Sequence, residues 1–243
     1  MKILIIRHGD PDYTIDHLTP KGHREAKLLA ERIAPLPVRD YYVSTMGRAK
    51  ATAAYTLELA GRDATYCDWM REFQGVCIRP DTGTQQICWD WLPQDWTADP
   101  RFFDKDHWWE PEAFASSNVK EQYDYVVNSL DELLARYGYE YSGEGIIYNA
   151  VEHNNDTIVL FCHFGVQCIM LSHLLGVSPM ILLHGMISAP TGVTTVITEE
   201  RRTGKTIFRI NAFGDISHLN QGNEPAAFAG RFCECYGNPG ERI

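Results

Sequence analysis

The chain has 243 residues, a net charge of −10 at pH 7 and a pI near 5.3. An acidic chain without a block of lysine or arginine suits neither nucleic acid nor an anionic membrane surface, so a small molecule is the simpler partner. No stretch approaches 18 consecutive apolar residues, and the first apolar run covers only residues 3–6. We therefore expect a cytoplasmic protein without a membrane span or a signal peptide.

The length suits one α/β domain over residues 1–243, with an insertion. The seven cysteines are scattered along the chain, which indicates reduced thiols and not a disulfide framework. Cys233 and Cys235 are one residue apart, but no second Cys/His pair at ligand spacing accompanies them. The sequence therefore disfavours a zinc site.

The first predicted strand, residues 3–6, sets the expected position of the site. Its four apolar residues are typical of a strand covered on both faces, as in the centre of a parallel sheet. The strand stops abruptly on Arg7, His8 and Gly9. Because ligands of open α/β sheets bind at the carboxyl edge of the strands, Arg7 and His8 are predicted to face a ligand there.

A helix and a second strand follow, and together they predict a first βαβ unit. Thr19 is expected to cap a helix that begins at Pro20 and ends near residue 35. The second strand, residues 41–43, leads to another helix that ends at Gly61 and carries Arg48 in its first turn. An arginine is unfavourable at a helix N-terminus unless an anion binds there, so Arg48 is a second candidate ligand of an anion.

A third strand, residues 64–67, leads to Glu72, which has apolar neighbours on both sides. Such surroundings raise the pKa of a carboxyl group, as a general acid requires, although an ion pair with Arg71 is the alternative. From 77 to 117 the periodic patterns fade and five of the six tryptophans occur. We expect this insertion to form a cap that acts as a lid, or alternatively a hydrophobic cluster under a long loop.

The second half of the chain repeats the pattern of the first. A helix is predicted over 118–138 with Asn118 as its cap, and residues 139–155 have no clear assignment. The buried strand 157–162 ends on His163 and precedes a helix that closes at Gly176. Residues 192–198 and 206–210 predict a hairpin at the sheet edge, and a surface tail follows at about 220–243.

Two arginines and two histidines are thus predicted at one edge of a sheet. Guanidinium groups and helix N-termini both bind phosphate oxygens, so Arg7, His8, Arg48 and His163 together suit a tetrahedral dianion. The overall prediction is a three-layer α/β/α sandwich with a mostly parallel sheet and an inserted Trp-rich cap.

Five motifs carry a resemblance to a known family, in an order and spacing that match over most of the chain: Leu4-Ile5-Ile6-Arg7-His8-Gly9, Leu18-Thr19-Pro20-Lys21-Gly22, Ser44-Thr45-Met46-Gly47-Arg48-Ala49, Arg71-Glu72 and Cys162-His163-Phe164-Gly165. The chain resembles the phosphoglycerate mutase-like branch of the histidine phosphatase superfamily. The resemblance implies the fold predicted above and a phosphomonoester hydrolase that needs neither metal nor cofactor and acts on a small phosphorylated metabolite.

The resemblance also implies a role for each site residue. His8 becomes the nucleophile that forms a phosphohistidine, and Glu72 the proton donor to the leaving group. Arg7, Arg48 and His163 form the phosphate pocket, and Thr14 falls where the family often has a polar phosphate contact.

Two positions depart from the family pattern, since Asp10 replaces a more usual Glu or Gln and Phe164 replaces a small residue. The segment 71–75 lacks the run Glu-Arg-His-Tyr-Gly that resembles true mutases, which favours a phosphatase. A phosphohistidine or phosphoserine/threonine protein phosphatase, a phosphoglycerate mutase and an inert phosphate-binding module remain alternatives. In the insertion, Arg79, Arg101 and Lys105 are candidate contacts for a second anionic group of the substrate.

Overall fold

The computed structural model describes residues 1–229, 231, 237 and 238. Its strands are β1 (Lys2–Arg7), β2 (Pro11–Asp12), β3 (His17–Leu18), β4 (Val38–Ser44), β5 (Thr65–Cys67), β6 (Val76–Ile78), β7 (Gln85–Ile87), β8 (Tyr139–Tyr141), β9 (Tyr148–Ala150), β10 (Thr157–Cys162), β11 (Val193–Arg202) and β12 (Lys205–Asp215). Its α-helices are α1 (Pro20–Ile33), α2 (Gly47–Ala60), α3 (Pro93–Trp96), α4 (Val119–Ala135), α5 (Phe164–Leu175), α6 (Pro179–Gly185) and α7 (Ser217–Gln221).

Eight strands form the central sheet, in the order β5-β4-β10-β1-β11-β12-β9-β8. The first four run parallel to one another, and every later pairing is antiparallel. The predicted α/β class is confirmed, and its parallel half is the part that carries the predicted site. The carboxyl ends of β4, β10 and β1 therefore lie side by side at one edge.

Side chains of β1 alternate between two hydrophobic layers, as the period of a strand requires. Ile3 and Ile5 belong to the cluster formed with α4 and α5, whereas Leu4 and Ile6 face the cluster that includes Leu29 of α1. These four apolar side chains of β1 are at most 5% exposed. The prediction of a strand covered on both faces is thus confirmed, and burial on both faces fixes the register that presents Arg7 and His8.

Local capping signals place the first two helices as predicted. The Thr19 hydroxyl accepts a hydrogen bond from the Gly22 N–H, and Pro20 occupies the first turn of α1. Gly61 ends α2 with φ of 62°, a left-handed conformation that glycine adopts without steric cost. Asn118 precedes α4 but makes no capping bond with its side chain, and the Ser117 hydroxyl accepts the Val119 N–H instead.

The predicted hairpin is present, with Arg202 opposite Lys205 around Thr203-Gly204. Its predicted position at the sheet edge is wrong, because β12 pairs with β9. The segment 139–155, for which the sequence pattern predicts no element, supplies β8 and β9, and β8 forms that edge. Three-residue strands give too short an alternating pattern to be recognised from sequence.

The insertion folds against the same hydrophobic cluster as the sheet. It contains the two-stranded hairpin β6–β7, the single turn α3 and two short 3₁₀ turns, Pro100–Phe103 and Glu112–Phe114. Trp91, Trp96 and Trp108 are buried in that cluster, and Trp109 packs against it. These four side chains belong to a hydrophobic cluster, the arrangement that the sequence offered as the alternative to a lid.

The described part of the tail packs near the carboxyl end of β1. Glu224 forms ion pairs with Lys21 and Arg24 on α1, and the Ala229 carbonyl accepts a hydrogen bond from Arg7. Contact with α1 and Arg7 brings this segment close to the predicted site. Among the helices that the structure describes, none combines the length and apolar character needed to cross a membrane.

Candidate active site

The parallel half of the sheet brings the strand-end residues together. Arg7 ends β1, His8 follows it, and His163 follows the adjacent strand β10. The centres of the His8 and His163 rings are 5.1 Å apart. Arg48, in the first turn of α2, is close enough to both histidines to lower their pKa values. These four residues are the three predicted ligands of phosphate and the predicted nucleophile, His8, and together we call them the predicted phosphate pocket.

His8 is held as a neutral imidazole with a defined tautomer. Its Nδ1 lies 2.7 Å from the Gly9 carbonyl oxygen, which can only accept a hydrogen bond, so Nδ1 carries the ring proton. Burial, together with the charges of Arg7 and Arg48, lowers the pKa of His8 well below its usual value. The lone pair of Nε2 is therefore available as a nucleophile at neutral pH.

His163 is buried and bound to Ser44 at the end of β4. The Ser44 Oγ lies 2.8 Å from Nε2 and also accepts the Met46 N–H. Burial lowers the pKa of His163 well below its usual value, with His8 and the arginines adding to the effect. When the Ser44 hydroxyl donates its hydrogen bond to Nε2, the ring proton of His163 lies on Nδ1, a buried atom without a hydrogen-bond partner among the described residues. Nδ1 then donates to a bound ligand.

Arg7 and Arg48 are buried cations whose hydrogen-bonding capacity is only partly used. Their exposed fractions are 4% and 6%, and the Nε atom of each has no hydrogen-bond partner within the described residues. Nη1 of Arg7 donates to the carbonyls of Ser188 and Ala229. Because buried guanidinium nitrogens in proteins are ordinarily satisfied, the two free Nε–H groups indicate an anion site.

Asp16 holds Arg48 in place and was not predicted from sequence. Its Oδ1 accepts from Arg48 Nη1 at 2.6 Å, and its Oδ2 accepts from the Gly47 N–H at 2.6 Å. A Cβ on Gly47 would lie 2.1 Å from the Asp16 carbonyl oxygen, so only glycine permits this approach. One feature of the sequence did point to such a residue. Met46, at the N-cap of α2, has no side-chain oxygen to accept a backbone N–H, so the acceptor must come from another segment.

Tyr13 lines the site in place of the predicted Thr14. The Thr14 hydroxyl donates to Asp12 at 2.6 Å, and Thr14 does not line the cavity. The Arg48 guanidinium carbon lies 5.4 Å from the centre of the Tyr13 ring, within cation–π range. The structure thus brings Tyr13 to the pocket, where its side chain contacts both Arg7 and Arg48, in the place where the Thr14 hydroxyl was expected.

Glu72 lies at the N-terminus of α5. Its Oε1 accepts the N–H of Phe73 at 2.9 Å and the N–H of Val166 at 3.2 Å. Burial raises the pKa of Glu72, although both hydrogen bonds and the nearby arginines oppose this increase. The ion pair with Arg71, the alternative expected from sequence, is not formed among the described residues: the cations that act on Glu72 are Arg7 and Arg48, and Arg71 donates to the Thr45 hydroxyl. Glu72 therefore has the environment of a general acid.

Gly165 allows Glu72 to approach the helix. A Cβ at this position would lie 2.7 Å from Glu72 Oε1 and 2.7 Å from the Trp89 ring. The motif Cys162-His163-Phe164-Gly165 therefore supplies both His163 and the glycine that leaves room for the Glu72 carboxylate. Asp10, the other acid near the first motif, accepts from the Thr19 hydroxyl and lines no part of the cavity.

A cavity of about 740 Å³ opens above these groups. Arg7, Arg48 and Glu72 line it, whereas His8 and His163 are buried at 1% and 0% exposure. The insertion contributes Gln85, Ile87 and Trp89. The lid hypothesis is thus restricted to the β6–β7 hairpin and Trp89.

The three cations proposed for a second anionic group are engaged elsewhere. Arg79 pairs with Asp81 and Asp90, Arg101 with Asp99, and Lys105 with Asp106. None of the three lines the cavity. The expected contact of these cations with a second anionic group was wrong. Each cation instead forms an ion pair with an aspartate one or two residues away in sequence.

The residues that the structure describes contain no group of three or more His, Cys, Asp or Glu arranged to hold a metal ion. Cys233 and Cys235 lie outside the described residues. The candidate site therefore offers positive charge from arginine side chains and hydrogen bonds from histidine.

The fold and the site define a class of α/β proteins with a buried cluster of arginines and histidines at the carboxyl edge of parallel strands. The family model of the histidine phosphatase superfamily (branch 1) matches residues 3–211. This match covers most of the chain, and the protein belongs to that superfamily.

A curated relative and several solved structures are similar to the chain. The probable phosphatase C1687.21 of Schizosaccharomyces pombe is 24% identical over 234 residues, covering 90% of this chain and 95% of that protein. A phosphoserine phosphatase mutant from Entamoeba histolytica, crystallised with phosphoserine, has a TM-score of 0.59 at 21% identity and covers 90% of this chain and 98% of its own. A mycobacterial glucosyl-3-phosphoglycerate phosphatase has a TM-score of 0.59 at 18% identity, with 88% and 98% covered. These structures establish the shared fold.

Proposed function

We propose that the protein hydrolyses phosphomonoesters of small metabolites through a phosphohistidine on His8. The observation that carries the proposal is the state of His8, a buried neutral imidazole whose Nδ1 is fixed by Gly9 and whose neighbours are two arginines with free Nε–H groups. Such an arrangement presents a nucleophilic nitrogen to a tetrahedral anion.

In the first step, Nε2 of His8 attacks phosphorus and the bond to the leaving oxygen breaks. Glu72 transfers its carboxyl proton to that oxygen, which leaves as an alcohol. Arg7, Arg48 and His163 donate hydrogen bonds to the other phosphoryl oxygens, whose charge they balance as the transition state forms. Buried donors are effective here because they are already oriented and need not reorganise.

In the second step, water attacks the phosphohistidine and the P–N bond breaks. Glu72, now a carboxylate, accepts a proton from that water, so that the enzyme returns to its starting state with inorganic phosphate bound. We propose that fixed cations supply the charge stabilisation in both steps, without a metal ion.

A screen of metabolite phosphates, with released phosphate as the readout, tests this function. We expect hydrolysis of p-nitrophenyl phosphate and of at least one metabolite monoester, unchanged by a chelator and lost in His8→Ala. Phosphate transfer between the 2- and 3-positions of phosphoglycerate, without net release, would instead establish a mutase. No turnover of any monoester, with phosphate still bound, would establish a binding module.

A further inference from the structure

The turn that precedes β11 holds the carboxyl end of β1 through main-chain groups. The Thr191 N–H donates to the carbonyls of both Arg7 and His8, each at 3.1 Å. The Arg7 N–H donates to the Gly192 carbonyl at 3.2 Å, and the Ser188 carbonyl accepts from the Arg7 guanidinium. The position of the predicted nucleophile therefore depends on the conformation of this turn.

Thr191 has a backbone conformation that threonine rarely adopts. Its φ is 59°, in the left-handed region, where a β-branched side chain is sterically disfavoured. Such a conformation persists only where the surrounding structure imposes it, and it occurs mostly at functional sites. Because Thr191 is 0% exposed, the contacts that impose it lie inside the protein.

A chain of side chains holds Thr191 in this conformation. Its hydroxyl donates to the Pro190 carbonyl at 2.7 Å and lies 3.0 Å from Nε2 of His218. Because the hydroxyl proton is already used, Nε2 is the donor of the second bond, and Nδ1 of His218 accepts from Arg32 Nη1 at 3.3 Å. Arg32 in turn forms an ion pair with Asp215 at 3.0 Å.

His218 is a neutral link in this chain. The residue is 3% exposed, and burial, together with the charge of Arg32, lowers its pKa to about 4, although Asp215 opposes the decrease. Only a neutral ring can donate to Thr191 and accept from Arg32 at the same time. Thr191, His218 and Arg32 do not line the cavity, so they act through other residues and not on the substrate.

We infer that Thr191 and His218 are positioning residues of the nucleophile, since the hydrogen bond between them fixes the turn that holds the backbone of Arg7 and His8. The inference rests on the proposed phosphatase function and adds two residues outside the cavity. Because Nδ1 of His8 is bound to the carbonyl of the next residue, Gly9, the ring moves with the main chain, and a shift of the main chain displaces Nε2.

Removal of the Thr191 hydroxyl tests the inference. Thr191→Val keeps the shape of the side chain but loses both of its hydrogen bonds, so the turn should relax and His8 should lose its alignment with the phosphorus atom. We expect kcat for p-nitrophenyl phosphate to fall about tenfold or more, since displacements of about 1 Å at a reacting atom cost roughly 10²-fold in rate.

Two further variants separate positioning from stability. Thr191→Ser keeps the hydroxyl and should retain kcat within about threefold of the wild type. Thr194→Val is the matched control: Thr194 on β11 is also 0% exposed, and its hydroxyl accepts the Gly214 N–H, but within the described residues it makes no hydrogen bond with Arg7 or His8. We expect Thr194→Val to lower the urea midpoint of unfolding and to leave kcat unchanged.

The other end of the hydrogen bond gives a second arm. His218→Leu removes the donor to Thr191 and should reduce kcat by a factor similar to that of Thr191→Val. Because both residues act through one hydrogen bond, the double variant should be no slower than the slower single variant, whereas independent effects would multiply. In His218→Gln the amide can donate in place of Nε2, and kcat should lie between those of His218→Leu and the wild type.

Vanadate binding gives a readout that needs no turnover. Bound vanadate resembles the five-coordinate transition state and needs Nε2 of His8 in line, whereas inorganic phosphate needs only the donors around it. Arg48 and His163 are held by other segments and should keep binding phosphate. By calorimetry, Thr191→Val should weaken vanadate binding about tenfold or more, and phosphate binding by no more than about twofold.

The outcomes keep this inference apart from the proposed function. If the wild type does not hydrolyse p-nitrophenyl phosphate, the phosphatase proposal fails, and the comparison of vanadate with phosphate binding still decides the role of Thr191. Wild-type kcat and vanadate affinity in a folded Thr191→Val would overturn the inference, even at lower stability. If that variant does not fold, His218→Leu decides by the same two measurements. Losses that multiply in the double variant would also contradict the inference.

Discussion

Adding one methyl group at Gly165 should disable Glu72 without unfolding the protein. In Gly165→Ala, the new Cβ would lie 2.7 Å from both Glu72 Oε1 and the Trp89 ring, whereas ordinary contacts begin at 3.4 Å. Each neighbour must therefore retreat by about 0.7 Å, or the helix must shift by a similar distance. Displacements of about 1 Å at a reacting group cost roughly 10²-fold in rate.

Stability should change little in the same variant. Gly165 lies in the first turn of α5, and alanine is favoured over glycine within helices by about 1 kcal/mol. That gain opposes the steric cost of moving Glu72 and Trp89. We therefore expect kcat/KM for an alkyl phosphate to fall about 10²-fold while the melting temperature stays within a few degrees of the wild type.

Leaving-group dependence identifies the cause of the loss. An aryl phosphate with a good leaving group needs less proton donation, so Gly165→Ala should reduce its kcat/KM much less than that of an alkyl phosphate. Gly185→Ala is the control, since Gly185 is also helical and a Cβ there meets nothing within 4 Å. Wild-type turnover of alkyl phosphates by Gly165→Ala would refute the placement of Glu72 as the acid.

Three further predictions concern pH and charge. Because burial lowers the pKa of His8 well below 6.5 and raises that of Glu72, kcat/KM should not fall as pH decreases through 6.5, and should fall with rising pH above the Glu72 pKa. That alkaline limb should be absent in Glu72→Gln, and its persistence there would assign it to another group. Asp16→Asn should raise KM for phosphate esters about tenfold, because Arg48 loses its carboxylate partner; an unchanged KM would show that Tyr13 and the pocket suffice to hold Arg48. Glu25 is 0% exposed, and burial raises its pKa to about 7. The stability that its protonated carboxyl contributes is fully present below pH 4.5 and is lost as pH rises through 7, because the unfolded chain loses this proton first. Glu25→Gln should therefore gain stability relative to the wild type between pH 5 and pH 8, by up to about 3 kcal/mol in urea unfolding, and a pH-independent difference would contradict the buried charge.

The elements that sequence predicted correctly are those with local signals. β1 and β10 are uninterrupted apolar runs, and the limits of α1 and α2 follow from Thr19, Pro20 and Gly61. Because parallel neighbouring strands end at one edge, the strand ends alone were enough to predict that Arg7, His8 and His163 converge.

The parts that sequence did not predict depend on contacts between distant segments. Asp16 reaches Arg48 across 32 residues, and the Ala229 carbonyl binds Arg7 across 222. No periodicity marks such pairs, and β8 and β9 are too short to show one. The pairing of Arg79 and Arg101 with aspartates two residues away was visible in the sequence, and it would have removed both from the candidate substrate contacts.

The central claim is that His8 is the nucleophile, and rapid-quench labelling tests it most directly. A substrate labelled with phosphorus-32 is mixed with enzyme, quenched in alkali during turnover and mapped by peptide analysis. We predict an alkali-stable, acid-labile label on the peptide that contains His8, absent in His8→Ala, which should also lose activity by at least about 10³-fold. Turnover without labelled histidine, or substantial activity in His8→Ala, would contradict the mechanism.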